Sequence, residues 1–136
     1  MYLIDTNIFL EVLPARQNKD GCLSLLRKIE DNEVKAVATS FTIHSIEVIM
    51  ANSGKLKELG VFLGNIKELK GLSIYYTTIA EEREALEIIE REGLDFDDAV
   101  QAYVANRLEA AVISFDKHFD KVEGLKRLRP EEAIGR

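Results

Sequence analysis

With 136 residues, 46% of them hydrophobic, the chain has enough apolar material for one core and too little length for two comfortable domains. A formal net charge of −6 argues against an evenly basic nucleic-acid surface, though not against an enzyme that acts on nucleic acid. No apolar run approaches bilayer length, and the one cysteine, Cys22, cannot close an internal disulfide, so residues 1–136 are expected to form a single cytoplasmic domain with no membrane partner.

At the start, Tyr2, Leu3 and Ile4 suit a strand covered on both faces, and Ile8, Phe9, Val12 and Leu13 resume at helical spacing. Asp5 is thereby held at the end of a buried strand, where an unpaired carboxylate is costly. The stretch NKDGCLSLLRKIEDNE gathers Cys22, Leu25, Leu26 and Ile29 on one helical face; KAVAT follows as a brief strand, and SFTIHSIEVIMAN returns to helical spacing. KLKELGVFLGNIKELK reads as an amphipathic helix weakened by Gly60 and Gly64, and LSIYYT as a strand. From Thr78, TIAEEREALEIIEREG has a capping start, an acidic first turn and Gly93 to end it. LDFDDAVQAYVANRLEA is a further helix, AVISF a buried strand, and LKRLRP the candidate for a last edge strand. Strands alternating with helices predict a parallel sheet between helical layers, a three-layer α/β/α sandwich.

Sites in such sheets form beyond the carboxyl ends of the strands, where the strand order reverses. Asp5 closes the first strand and Asp116 closes AVISFD, so neighbouring strands would bring the two acids to one crevice. Glu47 shares a helical stripe with Ile43, Ile46 and Met50, a stripe that ought to bury; an ion pair with Arg107 explains it as well as a functional role does. With Asp95 as N-cap, Asp98 falls at the third helical position, ordinary for a capping acid, but Ala99, Ala102 and Ala105 on the same helix permit a close approach to the sheet. Asp97, turned about 100° from Asp98, is expected to face solvent. Carboxylates drawn together repel unless a cation sits among them, and oxygen donors without a cysteine or histidine cluster favour Mg²⁺ or Mn²⁺. Such a site suits phosphodiester hydrolysis.

The stretches YLIDTNIFLEVL, TSFTIHSIEVI, LDFDDAVQAYVA and AVISFDKHFDKV, in that order, resemble the PIN-domain ribonucleases, in particular the short VapC-type toxins of prokaryotic toxin-antitoxin pairs. The resemblance implies a sheet in the order 3-2-1-4-5 and an acidic quartet at Asp5, Glu47, Asp98 and Asp116 that binds Mg²⁺ or Mn²⁺ and cleaves RNA with water. It implies Thr6, Asn7 and Ser114 as groups that orient the metal ligands, with serine at 114 where the family usually has threonine. Asp120 matches an extra acid of some members, although capping explains it equally. A homodimer and a protein antitoxin are implied as partners; the apolar region Lys55–Lys70, with Leu56, Phe62 and Ile66, is the candidate contact, core packing being the default. Lys117, His118 and Lys121 follow Asp116 and suit phosphate contacts, His118 reading first as a surface histidine. The alternatives are a housekeeping RNA-processing nuclease, a phosphatase with Asp5 as nucleophile, disfavoured because Asn7 stands where a second aspartate is wanted, and a binding module without chemistry.

Overall fold

The computed structural model describes residues 1–13 and 21–135. The helix expected from Asn18 therefore falls partly outside the described residues, as does the basic Arg136. Five strands, β1 (Tyr2–Ile4), β2 (Ala36–Thr39), β3 (Leu72–Tyr75), β4 (Ala111–Ile113) and β5 (Arg127–Leu128), form a parallel sheet in the order β3-β2-β1-β4-β5. Among the described residues, seven α-helices surround it: α1 (Thr6–Glu11), α2 (Cys22–Glu30), α3 (Ser40–Asn52), α4 (Leu56–Glu68), α5 (Ile79–Glu92), α6 (Phe96–Leu108) and α7 (Pro130–Ile134).

The central strands β2, β1 and β4 are largely buried on both faces, whereas β3 and β5 at the edges are only partly covered. Leu3 faces the layer formed by α5 and α6, alongside Val37 and Val112, whereas its neighbour Ile4 faces the opposite layer with Ala36, Ala38 and Ile113. That is the two-residue side-chain period of a strand, and it explains the uninterrupted apolar runs. Small side chains let α6 lie close to the sheet, as expected: Ala99, Ala102 and Ala105 are wholly buried.

Caps fix where the helices begin, and so where the acids sit. The Thr39 hydroxyl accepts from the Thr42 N–H at the start of α3, and Asp95 accepts from the Asp98 N–H at the start of α6, 2.9 Å apart. Thr78 and Glu81 form a reciprocal capping box on α5, which ends on left-handed Gly93. Gly60 and Gly64 do not interrupt α4; both lie on its exposed face, and burial of Leu59 and Phe62 outweighs their weak propensity. Two elements have no counterpart in the sequence reading, a 3₁₀ turn at Lys117–Lys121 and α7, each too brief for periodicity to register.

Candidate active site

β1 lies between β2 and β4, so the chain leaves β1 toward one half of the sheet and returns through β4 on the other side. The crevice beyond their carboxyl ends is the reversal point. Asp5 stands there, 2% exposed, its backbone N–H continuing the ladder to the Ile113 carbonyl. Ser114, the residue after β4, donates its hydroxyl to Asp5 Oδ2 at 2.7 Å and accepts the Asp116 N–H at 2.9 Å. One buried hydroxyl thus fixes two acids from adjacent strands. Burial pushes the Asp5 carboxyl up to about 6, assisted by the charges of Asp97 and Asp116 and opposed by hydrogen bonds from Ser114 and Gln101.

Asp98, 8% exposed, reaches the same crevice from the first turn of α6. Its carboxyl is pushed up to about 8, first by burial and then by Asp95, Asp5, Asp116 and Asp97. Ligand atoms of Asp98, Asp116 and His118 lie within 4.8 Å of one another. His118 is held by Asp116 twice, through its backbone N–H at 2.8 Å and through Nδ1 at 3.0 Å. Crowded carboxylates with an imidazole at the rim fit a hard divalent ion, Mg²⁺ or Mn²⁺, which would neutralise the charge that burial penalises.

Two expectations are corrected. Asp97 turns inward: Thr6 donates to its Oδ2 at 3.0 Å and the Gln101 amide to its Oδ1 at 3.1 Å. Helical phase alone put it on the solvent side, but bonds from Thr6 on α1 and Gln101 one turn along α6 draw its carboxylate toward the crevice, a tertiary contact that phase does not encode. Arg107 does not pair with Glu47; it lies 3.6 Å from Glu81. Glu47, with a side chain 35% exposed, takes His44 Nδ1 at 2.9 Å and lines a groove with Leu63, Lys67, Ile74 and Tyr76. The structure thus brings Asp5, Asp98 and Asp116 together and points Glu47 toward α4 and β3.

Of the expected orienting groups, Thr6 is buried and shares a hydroxyl contact with Thr42 at 2.9 Å, whereas Asn7 is exposed. Asp120 is gripped by Arg127 through two hydrogen bonds, at 2.9 and 3.2 Å, while Arg127 also donates to the Ser114 carbonyl. Lys117 and Lys121 are exposed on the 3₁₀ turn that begins at Asp116. The sequence reading missed Gln101 and Thr42; the first is an amide on an otherwise small, apolar helix face, which is a legible signal, and the second was hidden in an ordinary helix start.

The PIN-domain family profile matches residues 2–125. The chain belongs to the PIN-domain family. Comparison with curated proteins gives no match. Among solved structures, this PIN domain is similar to Mycobacterium tuberculosis VapC20, described as a Sarcin-Ricin loop cleaving toxin, with a TM-score of 0.75 and 16% identity over 96% of this chain and 100% of that one. It is similar also to VapBC2 from Rickettsia felis, bound to a DNA fragment from its promoter, with a TM-score of 0.72 and 18% identity over 94% and 97% of the two chains. A toxin-antitoxin complex from Klebsiella pneumoniae matches with a TM-score of 0.68 and 14% identity over 96% and 98%. At these identities the likeness is one of fold, and the five-stranded order expected of a PIN domain is the order observed.

Proposed function

We propose that this PIN domain is a divalent-cation-dependent endoribonuclease, the toxin half of a toxin-antitoxin pair. The observation that carries the reading is the gathering of Asp5, Asp98 and Asp116, remote in sequence, at the reversal point of the sheet. Those three acids would hold Mg²⁺ or Mn²⁺, with His118 at the rim. When bound, the cation supplies an acidified water and neutralises the charge of a phosphate. The chain's own groups do the positioning. Ser114 keeps Asp5 and Asp116 in register, Thr6 ties the start of α1 to α6, and the exposed Lys117 and Lys121 draw an RNA backbone to the mouth of the crevice.

The surface we propose for a partner is the apolar groove between α1, α2 and α4, about 430 Å³ in volume and lined by Phe9, Leu26, Phe62 and Ile66, with Val61 exposed beside it. An apolar segment of an antitoxin is the occupant we assign to it, and a homodimer is the assembly we expect; the similar toxin-antitoxin complex supports the first. Cleavage of short structured RNAs in Mn²⁺ tests the activity. We expect strand scission that a chelator and Asp5→Asn each abolish; scission that survives both would overturn the assignment.

A further inference from the structure

The hydroxyls around the crevice form a chain with a direction. Thr39 donates to Thr42 at 3.2 Å, and Thr6 donates to Asp97, so the 2.9 Å contact between Thr42 and Thr6 has Thr42 as donor. The Gln101 amide nitrogen is spent on Asp97 at 3.1 Å and on Thr6 at 3.4 Å. The hydroxyl chain therefore ends on the Asp97 carboxylate, and Gln101 Oε1, on a residue 0% exposed, is reached by no donor among the described residues. A buried amide oxygen so placed calls for something from outside the protein, a cation or water accompanying one.

Helix phase says which acid shares that space. The inward face of α3 carries Thr42, Ile46 and Met50, all buried. Glu47, five residues past Thr42, is about 140° round the helix from it. The next turn of the Thr42 face presents neutral Ser45 and apolar Ile46 in its stead. Asp97, by contrast, acts electrostatically on both Asp5 and Asp98 and is tied to Thr6, the residue that follows Asp5.

We propose that Asp97, with the Gln101 carbonyl oxygen beside it, forms the fourth oxygen-bearing wall of the cation site, the place the sequence offers to Glu47. This deepens the nuclease reading and rests on it. Each oxygen of Asp97 accepts one hydrogen bond and keeps lone pairs to spare, so the bonds to Thr6 and Gln101 orient the carboxylate without exhausting it.

Calorimetric titration with MnCl₂ tests the assignment without reference to cleavage. Asp97→Asn and Gln101→Met are each expected to weaken Mn²⁺ binding at least tenfold, and Glu47→Gln to leave it within twofold. Asp97→Glu, which restores the charge, should recover part of the loss. Mn²⁺ affinity unchanged in both Asp97→Asn and Gln101→Met, or lost in Glu47→Gln, overturns the proposal while leaving the cation site itself intact. A wild-type chain that takes no Mn²⁺, or an Asp5→Asn variant that binds it as well as wild type, instead overturns the nuclease reading. Should Asp97→Asn lose its circular-dichroism signal in the absence of metal, Gln101→Met decides alone.

Discussion

Asp98 is costly to the folded chain in its metal-free form, and that cost has a sign that pH reveals. Its carboxyl is raised to about 8 when folded, chiefly by burial, whereas an unfolded aspartate ionises near its ordinary value of 3.8. Below about pH 4 both states keep the proton, and the folded state carries no penalty. As pH rises toward 8 the unfolded chain releases its proton and the folded chain retains it, so stability falls throughout that window. Asp98→Asn removes the penalty. In chelator the variant should exceed wild type by about 1–3 kcal/mol at pH 8, with the gap closing toward pH 4. Urea unfolding at several pH values measures it; a variant less stable than wild type at pH 8 would contradict the burial argument. This much of the site was legible at the residue scale, because an acid ending an apolar strand and an acid at a helix start have few structural uses together. Asp97 was not legible, since its orientation depends on a contact with Thr6, which lies far away in sequence.

At the scale of elements, the sequence pattern located the strands and most helix boundaries because caps and apolar runs are local signals. α3 runs from Ser40 to Asn52, the span of SFTIHSIEVIMAN, and α5 starts and stops at its Thr78 and Gly93 signals. Rotation about a helix axis is less local. The apolar stripe on α3 is broad, and sequence alone could not say that Ile46 and Met50 bury fully while Ile43 and Glu47 sit at its edge. Nor did it flag Gly71, which joins α4 to β3. The Gly71 N–H donates to the Ile29 carbonyl at 2.8 Å, its carbonyl accepts from Ala36 at 2.9 Å, and a β-carbon there would lie 2.2 Å from the Val34 carbonyl oxygen. Backbone has no rotamer with which to yield. Gly71→Ala should therefore destabilise the chain by about 2–4 kcal/mol, more than an ordinary overpacked side chain, because it splits the end of α2 from the start of two strands. Thermal unfolding that differs from wild type by under 0.5 kcal/mol would show that the connection relaxes freely.

On the proposed reading, the whole molecule would turn these local costs into a metal dependence of stability. Its net charge is −6, and the acids at the reversal point lie where three elements converge, β1 through Asp5, the end of β4 through Asp116, and α6 through Asp98. Without a cation the fold carries Asp5 and Asp98 with carboxyls raised to about 6 and about 8, and a divalent ion must displace their protons in order to bind. Binding should accordingly tighten as pH rises from 6 to 8, the same range over which the metal-free fold weakens. Mn²⁺ at a hundredfold excess over its dissociation constant adds about 2.7 kcal/mol, on the order of 8 °C in melting temperature for a chain of this size. At one fixed Mn²⁺ concentration the shift should be larger at pH 8 than at pH 6 and should vanish on adding a chelator. Scanning calorimetry in buffers of matched ionic strength reads both effects together. Equal shifts at the two pH values would mean that the ion binds groups already ionised, on the surface, and that the buried carboxylates take no part.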